Sequence, residues 1–219
     1  MNKRARYICF EGTEGVGKTT QTKKLVEFLR SKGYKVLETK EPGTPHAPLT
    51  MTLRGIMLDN QYDSSLTPAA RELISQAIRS IHLEKVITPA INEYDFIIQD
   101  RGILSGLSYG HACGNDPEDL INMMRYVTGP VVGSFSDGLY DSIIYLKGNT
   151  AKGLQKALQA KKEFEAGDAM ESRGNNFMSQ VSENMDGYSE AFKTSTINVD
   201  GKNIEEVFSD ILSALSLAE

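Results

Sequence analysis

The chain alternates short apolar runs with longer segments in which apolar residues recur every three or four positions. Tyr7-Ile8-Cys9-Phe10 is a compact, β-prone run. From Thr20 to Lys32, Leu25, Phe28 and Leu29 fall on one helical stripe. Lys35-Val36-Leu37-Glu38-Thr39 reads as a second strand. Glu41-Pro42-Gly43-Thr44-Pro45 reads as a loop, since two prolines and a glycine continue neither regular structure. Helices are expected over Leu49 to Leu58 and from Thr67-Pro68 to about Asn92, the second with Thr67 as N-cap and Pro68 at the first helical position. Phe96-Ile97-Ile98 and Ser142 to Leu146 are the next strands, with a helix start at Asp116-Pro117-Glu118 between them. A helix from Thr150 to about Lys162 leads into a charged, small-residue-rich stretch, Lys161 to Asn176, with few core anchors. A helix to about Phe192, a strand from Ser195 to Val199 and a helix from Ile204 to Leu217 complete the pattern. Without repeats or a linker, it implies a single domain over residues 1–219. Strands separated by helices imply a parallel sheet with right-handed crossovers and ligands at the carboxyl ends of the strands.

The first of those strand ends carries the most specific chemistry. Gly12-Thr13-Glu14-Gly15-Val16-Gly17-Lys18-Thr19 reads G-x-x-x-x-G-K-T, followed by Thr20, between a predicted strand and a predicted helix. Glycines let successive N–H groups turn toward phosphate oxygens, and the helix N-terminus adds partial positive charge. Lys18 would bridge the β- and γ-phosphates of a nucleoside triphosphate, and the Thr19 hydroxyl would ligate Mg²⁺.

A second constellation lies at Asp100-Arg101, just past a buried strand. An acid there can hold Mg²⁺ directly or through water, and the arginine can grip a phosphate in bidentate fashion. Glu41 to Thr44 should share this rim. Position alone makes Arg54, Arg71 and Arg79 solvated helix faces, and Lys152, Lys156, Lys161, Lys162 and Arg173 a solubilising cluster.

Composition narrows the partners. Net charge is −5 over 219 residues, and no basic stripe of the kind polymeric nucleic acid requires is present. No apolar run approaches a membrane span of roughly 18 residues, and the basic N-terminus precedes too short an apolar run for a signal peptide. Two isolated cysteines, Cys9 and Cys113, suggest reduced thiols in a cytoplasmic protein.

Taken together, the residues resemble the thymidylate kinases among the nucleoside monophosphate kinases. Phe10-Glu11-Gly12 with the phosphate loop, Glu41-Pro42-Gly43, Leu53-Arg54 with Leu58-Asp59, Ala77 to Arg79, Pro89-Ala90, Asp100-Arg101, Ser105, Tyr109 and Tyr145-Leu146 fall in that family's order over nearly the whole chain. The resemblance implies a three-layer α/β/α fold of the P-loop NTPase type, with a five-stranded parallel sheet and a lid over about residues 161–176. It implies transfer of the γ-phosphoryl group of ATP to a deoxynucleoside monophosphate, most simply dTMP, by a homodimer. In that reading residues Gly12 to Thr20 hold the donor, and Thr19 and Asp100 serve Mg²⁺. Arg101 binds the acceptor phosphate, and Glu14 the sugar 3′-hydroxyl. Tyr109 lines the sugar, Arg79 bonds the base with Arg54 nearby, and Glu41 and Ser105 stand at the acceptor rim.

The resemblance also exposes departures. Gly15 replaces the arginine that some members carry in the loop, so transition-state charge should come from the lid. There the family's Asp-Arg pair appears as Asp168-Ala169, leaving Arg173 as the candidate guanidinium, with Lys161 and Lys162 behind it. The aromatic that stacks on thymine is Ser75, the glutamine after the pocket tyrosine is Gly110, and a pocket serine is Gly106. Three shrinking changes suggest a larger base, purine or 5-substituted pyrimidine, or an aromatic filling the gap, for which Tyr62, Tyr109 and Tyr126 are the candidates. A deoxynucleoside kinase using Glu41 as general base, and a degenerate nucleotide-binding protein, are the alternative activities.

Overall fold

The computed structural model describes residues 4–132, 138–162 and 168–218. Five strands, β1 (Arg6–Glu11), β2 (Val36–Lys40), β3 (Phe96–Asp100), β4 (Ser142–Lys147) and β5 (Ser195–Asn198), form one sheet in the order β2-β3-β1-β4-β5. Every pairing is parallel, with Phe10 opposite both Asp100 and Ile144. The central strands β1 and β3 read as nearly continuous apolar runs because both of their faces are covered. Ile8, Phe10 and Ile98 point into a core with Leu25 and Leu29 of helix α1 (Lys18–Ser31) and Phe208 and Ile211 of helix α9 (Ile204–Ala214). Tyr7 and Ile97, one position along, point the other way, with Leu83, Ile87, Leu107 and Leu120. The result is the three-layer architecture expected from the pattern.

The remaining helices are α2 (Pro48–Leu58), α3 (Pro68–His82), the single turn α4 (Thr88–Ala90), α5 (Ile103–Ala112), α6 (Pro117–Val132), α7 (Thr150–Lys162) and α8 (Gly174–Ala191). Thr67 caps α3 as expected, its hydroxyl accepting from the Ala70 N–H at 3.1 Å. The helix does not run unbroken to Asn92: it passes into a π-turn at Leu83–Ile87 before α4. Pro89 supplies no N–H and its ring crowds the preceding turn, so regular α geometry gives way ahead of it. Helix α5 carries no clear periodic signal, because glycines at 106 and 110 interrupt its stripe.

The stretch expected to hold few core anchors is better seated than its composition suggests. Ala169 and Met170 are buried against Leu104, Tyr145, Phe177 and Val181. A turn makes this possible, with Asp168 Oδ1 accepting from the N–H groups of Met170 and Glu171, both at 3.1 Å. Two residues do the anchoring, which a charge-rich composition hides. Residues 163–167 and the side chains of Lys156, Lys161 and Lys162, which belong to the expected lid and its basic cluster, lie outside the described residues.

Candidate active site

The ends of β1, β2 and β3 meet on one rim. The Glu41 N–H donates to the Asp100 carbonyl at 3.0 Å, and the Arg101 N–H donates to the Phe10 carbonyl at 2.8 Å. Between them the loop from Gly12 to Gly17 turns over the sheet and delivers Lys18 to the first turn of α1. Lys18 is buried, and its ammonium donates to the Thr13 carbonyl at 2.6 Å, stretched back across the loop it belongs to. Burial, with Arg101 nearby, brings its pKa down to about 8 against the opposing pull of Asp100, Glu14 and Glu11. Val16 and Thr13 are buried under the loop, while Thr20 opens onto a groove beside it.

Gly15 has a tight structural reason. Its φ is +70°, and a Cβ there would lie 2.1 Å from the carbonyl oxygen of Gly153 at the start of α7. No side chain fits while α7 keeps this position, so the loop cannot carry the arginine that some members place in it. The groove beyond is lined by Gly15, Thr20 and Lys152, which the sequence pattern singled out, and by Asn149, Asp200 and Asn203, which it did not.

At the cation position, the Thr19 hydroxyl donates to Asp100 Oδ2 at 2.7 Å. Asp100 Oδ1 is buried and has no hydrogen-bond partner among the described residues. An unsatisfied buried carboxylate oxygen beside a hydroxyl suits a hard divalent cation. No cluster of three or more His, Cys, Asp or Glu capable of holding a metal occurs among the described residues, so such a cation would draw its other ligands from nucleotide oxygens and water.

Across the loop, Arg101 is held in the left-handed region at φ +66°, an uncommon conformation for a side-chain-bearing residue and one associated with functional sites. Its Nη1 donates to the Gly12 carbonyl at 2.9 Å and to Ser105 Oγ at 3.1 Å, and its Nη2 to Glu14 Oε1 at 2.6 Å. The guanidinium also lies 5.5 Å from the centre of the Tyr109 ring. Burial opposes its charge, but Glu14, Tyr109 and Asp100 outweigh that and raise its pKa. Burial likewise works against the Glu14 carboxylate, and Arg101 and Lys18 overcome it, with the Tyr109 hydroxyl donating to both oxygens; its pKa is lowered. Beneath them Glu11, fully buried, accepts from the N–H and hydroxyl of Ser105 and orients the start of α5. Burial raises the Glu11 pKa. Glu11 was visible only as part of Phe10-Glu11-Gly12, and an acid ending an apolar strand was its signal.

Glu41 anchors the third side. One oxygen accepts from Arg79 Nε at 2.9 Å and the other faces His82 Nδ1 at 3.0 Å. His82 Nε2 continues to Thr39 Oγ1 at 2.8 Å. Arg79, read from position alone as a solvated face, is buried and also donates to the Gly102 carbonyl at 3.2 Å. Arg71 is buried as well, donating to the Met57 carbonyl and to Asp63 at 2.7 Å. Arg54 donates to the Pro42 carbonyl at 2.9 Å.

All eight residues expected to bind the acceptor, Glu14, Glu41, Arg54, Ser75, Arg79, Arg101, Ser105 and Tyr109, line one cleft. Its glycines are not open space. A Cβ at Gly106 would lie 2.7 Å from Arg79 Nη2, and one at Gly110 would lie 2.8 Å from Glu72 Oε2 and from Leu120 Cδ2. Long side chains from neighbouring helices take up that volume, which corrects the expectation of a gap at these two positions. No aromatic does so: Tyr62 and Tyr126 are exposed, the latter at 84%, and Tyr109 is committed to Glu14. Arg173 is not among the residues that line this cleft: it pairs with Asp63 at 2.9 Å and lies 5.2 Å from the Phe177 ring centre, with the cleft residue Cys113 beside it.

The comparisons agree with the geometry. The family model for thymidylate kinase matches residues 10–211. A thymidylate kinase of Finegoldia magna is 28% identical over 214 residues, covering 95% of this chain and 97% of that protein. One of a Geobacillus species is 30% identical over 215 residues, covering 97% and 96%. The crystal structure of thymidylate kinase from Ehrlichia chaffeensis superposes with a TM-score of 0.70 at 22% identity, over 97% of this chain and 99% of that one. Matched by that family model over most of its length, this chain belongs to the thymidylate kinase family.

Proposed function

We propose that the protein transfers the γ-phosphoryl group of ATP to dTMP, giving ADP and dTDP, with Mg²⁺ bound at Thr19 and Asp100. The observation that carries this is the hydrogen bond from Arg101 to the Gly12 carbonyl, which ties the acceptor-side guanidinium to the donor loop itself. Phosphoryl transfer needs two phosphates aligned and their charge neutralised more than it needs covalent chemistry. Lys18 and the loop amides hold the donor phosphates. Arg101 holds the acceptor phosphate, and its contact with Glu14 is exchanged or extended as substrate enters. Glu14, fixed by Tyr109, is placed to accept from a sugar hydroxyl. Mg²⁺ would spread the charge of the triphosphate and orient it. Because Gly15 admits no arginine, Arg101 and Lys18 supply the positive charge at the transferred phosphate in this reading. Arg173, paired with Asp63, takes no part in the transfer.

Glu41 is a poor general base for a nucleoside hydroxyl, since Arg79 and His82 engage both its oxygens, and this disfavours the nucleoside kinase alternative. Ala169 has a packing role in the core, so its presence does not argue for a degenerate enzyme. The same reading places the protein in the cytoplasm as a homodimer. Exposed Leu49 and Ile56 on α2 and Leu73 on α3, helices that pack together, offer apolar surface for a second copy. No helix among the described residues is long and apolar enough to cross a membrane.

An ADP-release assay with ATP, Mg²⁺ and dTMP, dUMP, dCMP, dAMP, dGMP or thymidine tests the proposal. Turnover should be greatest with dTMP. Turnover with thymidine alone, or a preference for a purine monophosphate, would overturn it.

A further inference from the structure

Helices α3 and α5 cross the acceptor cleft with matched features. Arg79 fills the space over Gly106, and Glu72, two turns earlier on α3, fills the space over Gly110, one turn later on α5. The two helices therefore run in opposite directions here, and each glycine admits one charged side chain. The Glu72 residue is 4% exposed, and what remains open faces the cleft that Ser75, Arg79 and Gly110 also line. Its Oε1 accepts from Gln76 Nε2 at 2.6 Å. Its Oε2, the oxygen that a Cβ at Gly110 would meet at 2.8 Å, accepts no hydrogen bond among the described residues. With one oxygen held by Gln76 and the other open to the cleft, the carboxylate presents a free acceptor to whatever the cleft binds. Leu is the residue one would expect on the apolar side of a cleft-lining helix, and a carboxylate enclosed this far is favoured by a donor to match it.

We infer that Glu72, seated over Gly110, is a specificity-determining residue that accepts a hydrogen bond from the base N–H of the acceptor nucleotide. This rests on the phosphotransfer reading above and deepens it. Gly106 and Gly110 lie one helical turn apart, about 6 Å, so Arg79 and Glu72 present a donor and an acceptor at neighbouring points of the cleft wall. Thymine and uracil show the complementary order, a carbonyl oxygen beside a ring N–H. Cytosine shows the reverse, an amino group beside an unprotonated nitrogen, which would put donor against donor and lone pair against lone pair. Mismatches of this kind reject a ligand far more strongly than a change of size, because buried polar groups are left unpaired. The missing aromatic at Ser75 then weakens affinity without erasing discrimination, since the edge contacts do not depend on the stack.

The test compares dTMP with dCMP in the wild type, in Glu72→Gln and in Gly110→Ala, each with ATP and Mg²⁺. The glutamine is isosteric and its amide can donate as well as accept, so the ratio of kcat/KM for dTMP over dCMP should fall at least tenfold, chiefly through KM. Gly110→Ala pushes the carboxylate aside from the opposite wall and should lower the same ratio, which guards against one variant failing to fold. A thermal midpoint near that of the wild type in Glu72→Gln alongside a changed ratio supports a recognition role. An unchanged ratio in folded Glu72→Gln, or a wild type that prefers dCMP, overturns the inference. No turnover of any monophosphate would instead sink the phosphotransfer reading, whereas dTMP turnover with an unaltered ratio sinks this inference alone.

Discussion

Replacing Glu41 by glutamine keeps the side chain's shape and removes one charge from the most enclosed ion pair of the cleft. Glu41 and Arg79 side chains are each 4% exposed, and their pair measures 2.9 Å. The carboxylate also faces His82 at 3.0 Å. Burial pushes the Glu41 pKa up, but Arg79 and His82 prevail and it is lowered, so the group is ionised near neutrality. In the variant Arg79 stays charged and buried, with a neutral amide oxygen, the Gly102 carbonyl and the Met124 sulfur as partners and the more distant Glu72 countering its charge. Breaking a buried pair by removing one partner costs about 3–5 kcal/mol, and Glu72 argues for the lower end. At roughly 2–4 °C per kcal/mol for a chain of this size, the thermal midpoint should drop by about 6–12 °C. Differential scanning calorimetry on both proteins in the same buffer measures it. A drop under about 2 °C would show that the pair is not the enclosed, charge-compensated unit described, and the reasoning that fixes Arg79 over Gly106 would fail with it.

Lys18→Ala should lower kcat/KM on the order of 10²- to 10³-fold in the ADP-release assay, as loss of a positioned cation does at developing charge; activity within tenfold of wild type would refute its role. A lysine is cationic below its pKa, and that of Lys18 is about 8. ATP should therefore bind more weakly as pH rises through 8, and binding at pH 8.5 should take up protons; calorimetry in buffers of different ionisation enthalpy that finds none would contradict this. Gly15→Arg forces a side chain into φ +70° and against the Gly153 carbonyl. It should raise the KM for ATP by about tenfold or more and destabilise the protein by at least 1–3 kcal/mol, whereas wild-type behaviour in both assays would show that α7 yields freely.

What the sequence made legible follows from how local each signal is. The phosphate loop announces itself because strand, glycines, lysine and helix are contiguous, and the central strands do so because both of their faces are buried. Asp100-Arg101 and Glu41 were recognisable as strand-end residues, and the parallel topology carried them to the same rim. Arg79 looked like a surface residue from position alone, since its partners Glu41 and Gly102 lie 38 and 23 positions away. Gly106 and Gly110 were read as lost volume, because nothing local says that Arg79 and Glu72 come from another helix to occupy it. Glu72 itself sits among ordinary helical polar residues, and only packing against Gly110 and Leu120 makes it a buried carboxylate. The packing role of Ala169 and Met170 was hidden for the same reason: two anchors suffice once a turn at Asp168 directs them inward.

The central claim is that the phosphate loop and the Arg101 side of the cleft hold two phosphates for direct transfer. Phosphorus-31 NMR of ATP, dTMP and Mg²⁺ with purified protein follows it most directly. The account predicts that the γ-phosphate signal of ATP disappears in step with the appearance of ADP and dTDP in equal amounts, with no inorganic phosphate. Release of inorganic phosphate without dTDP, or ATP left intact beside dTMP, would contradict it.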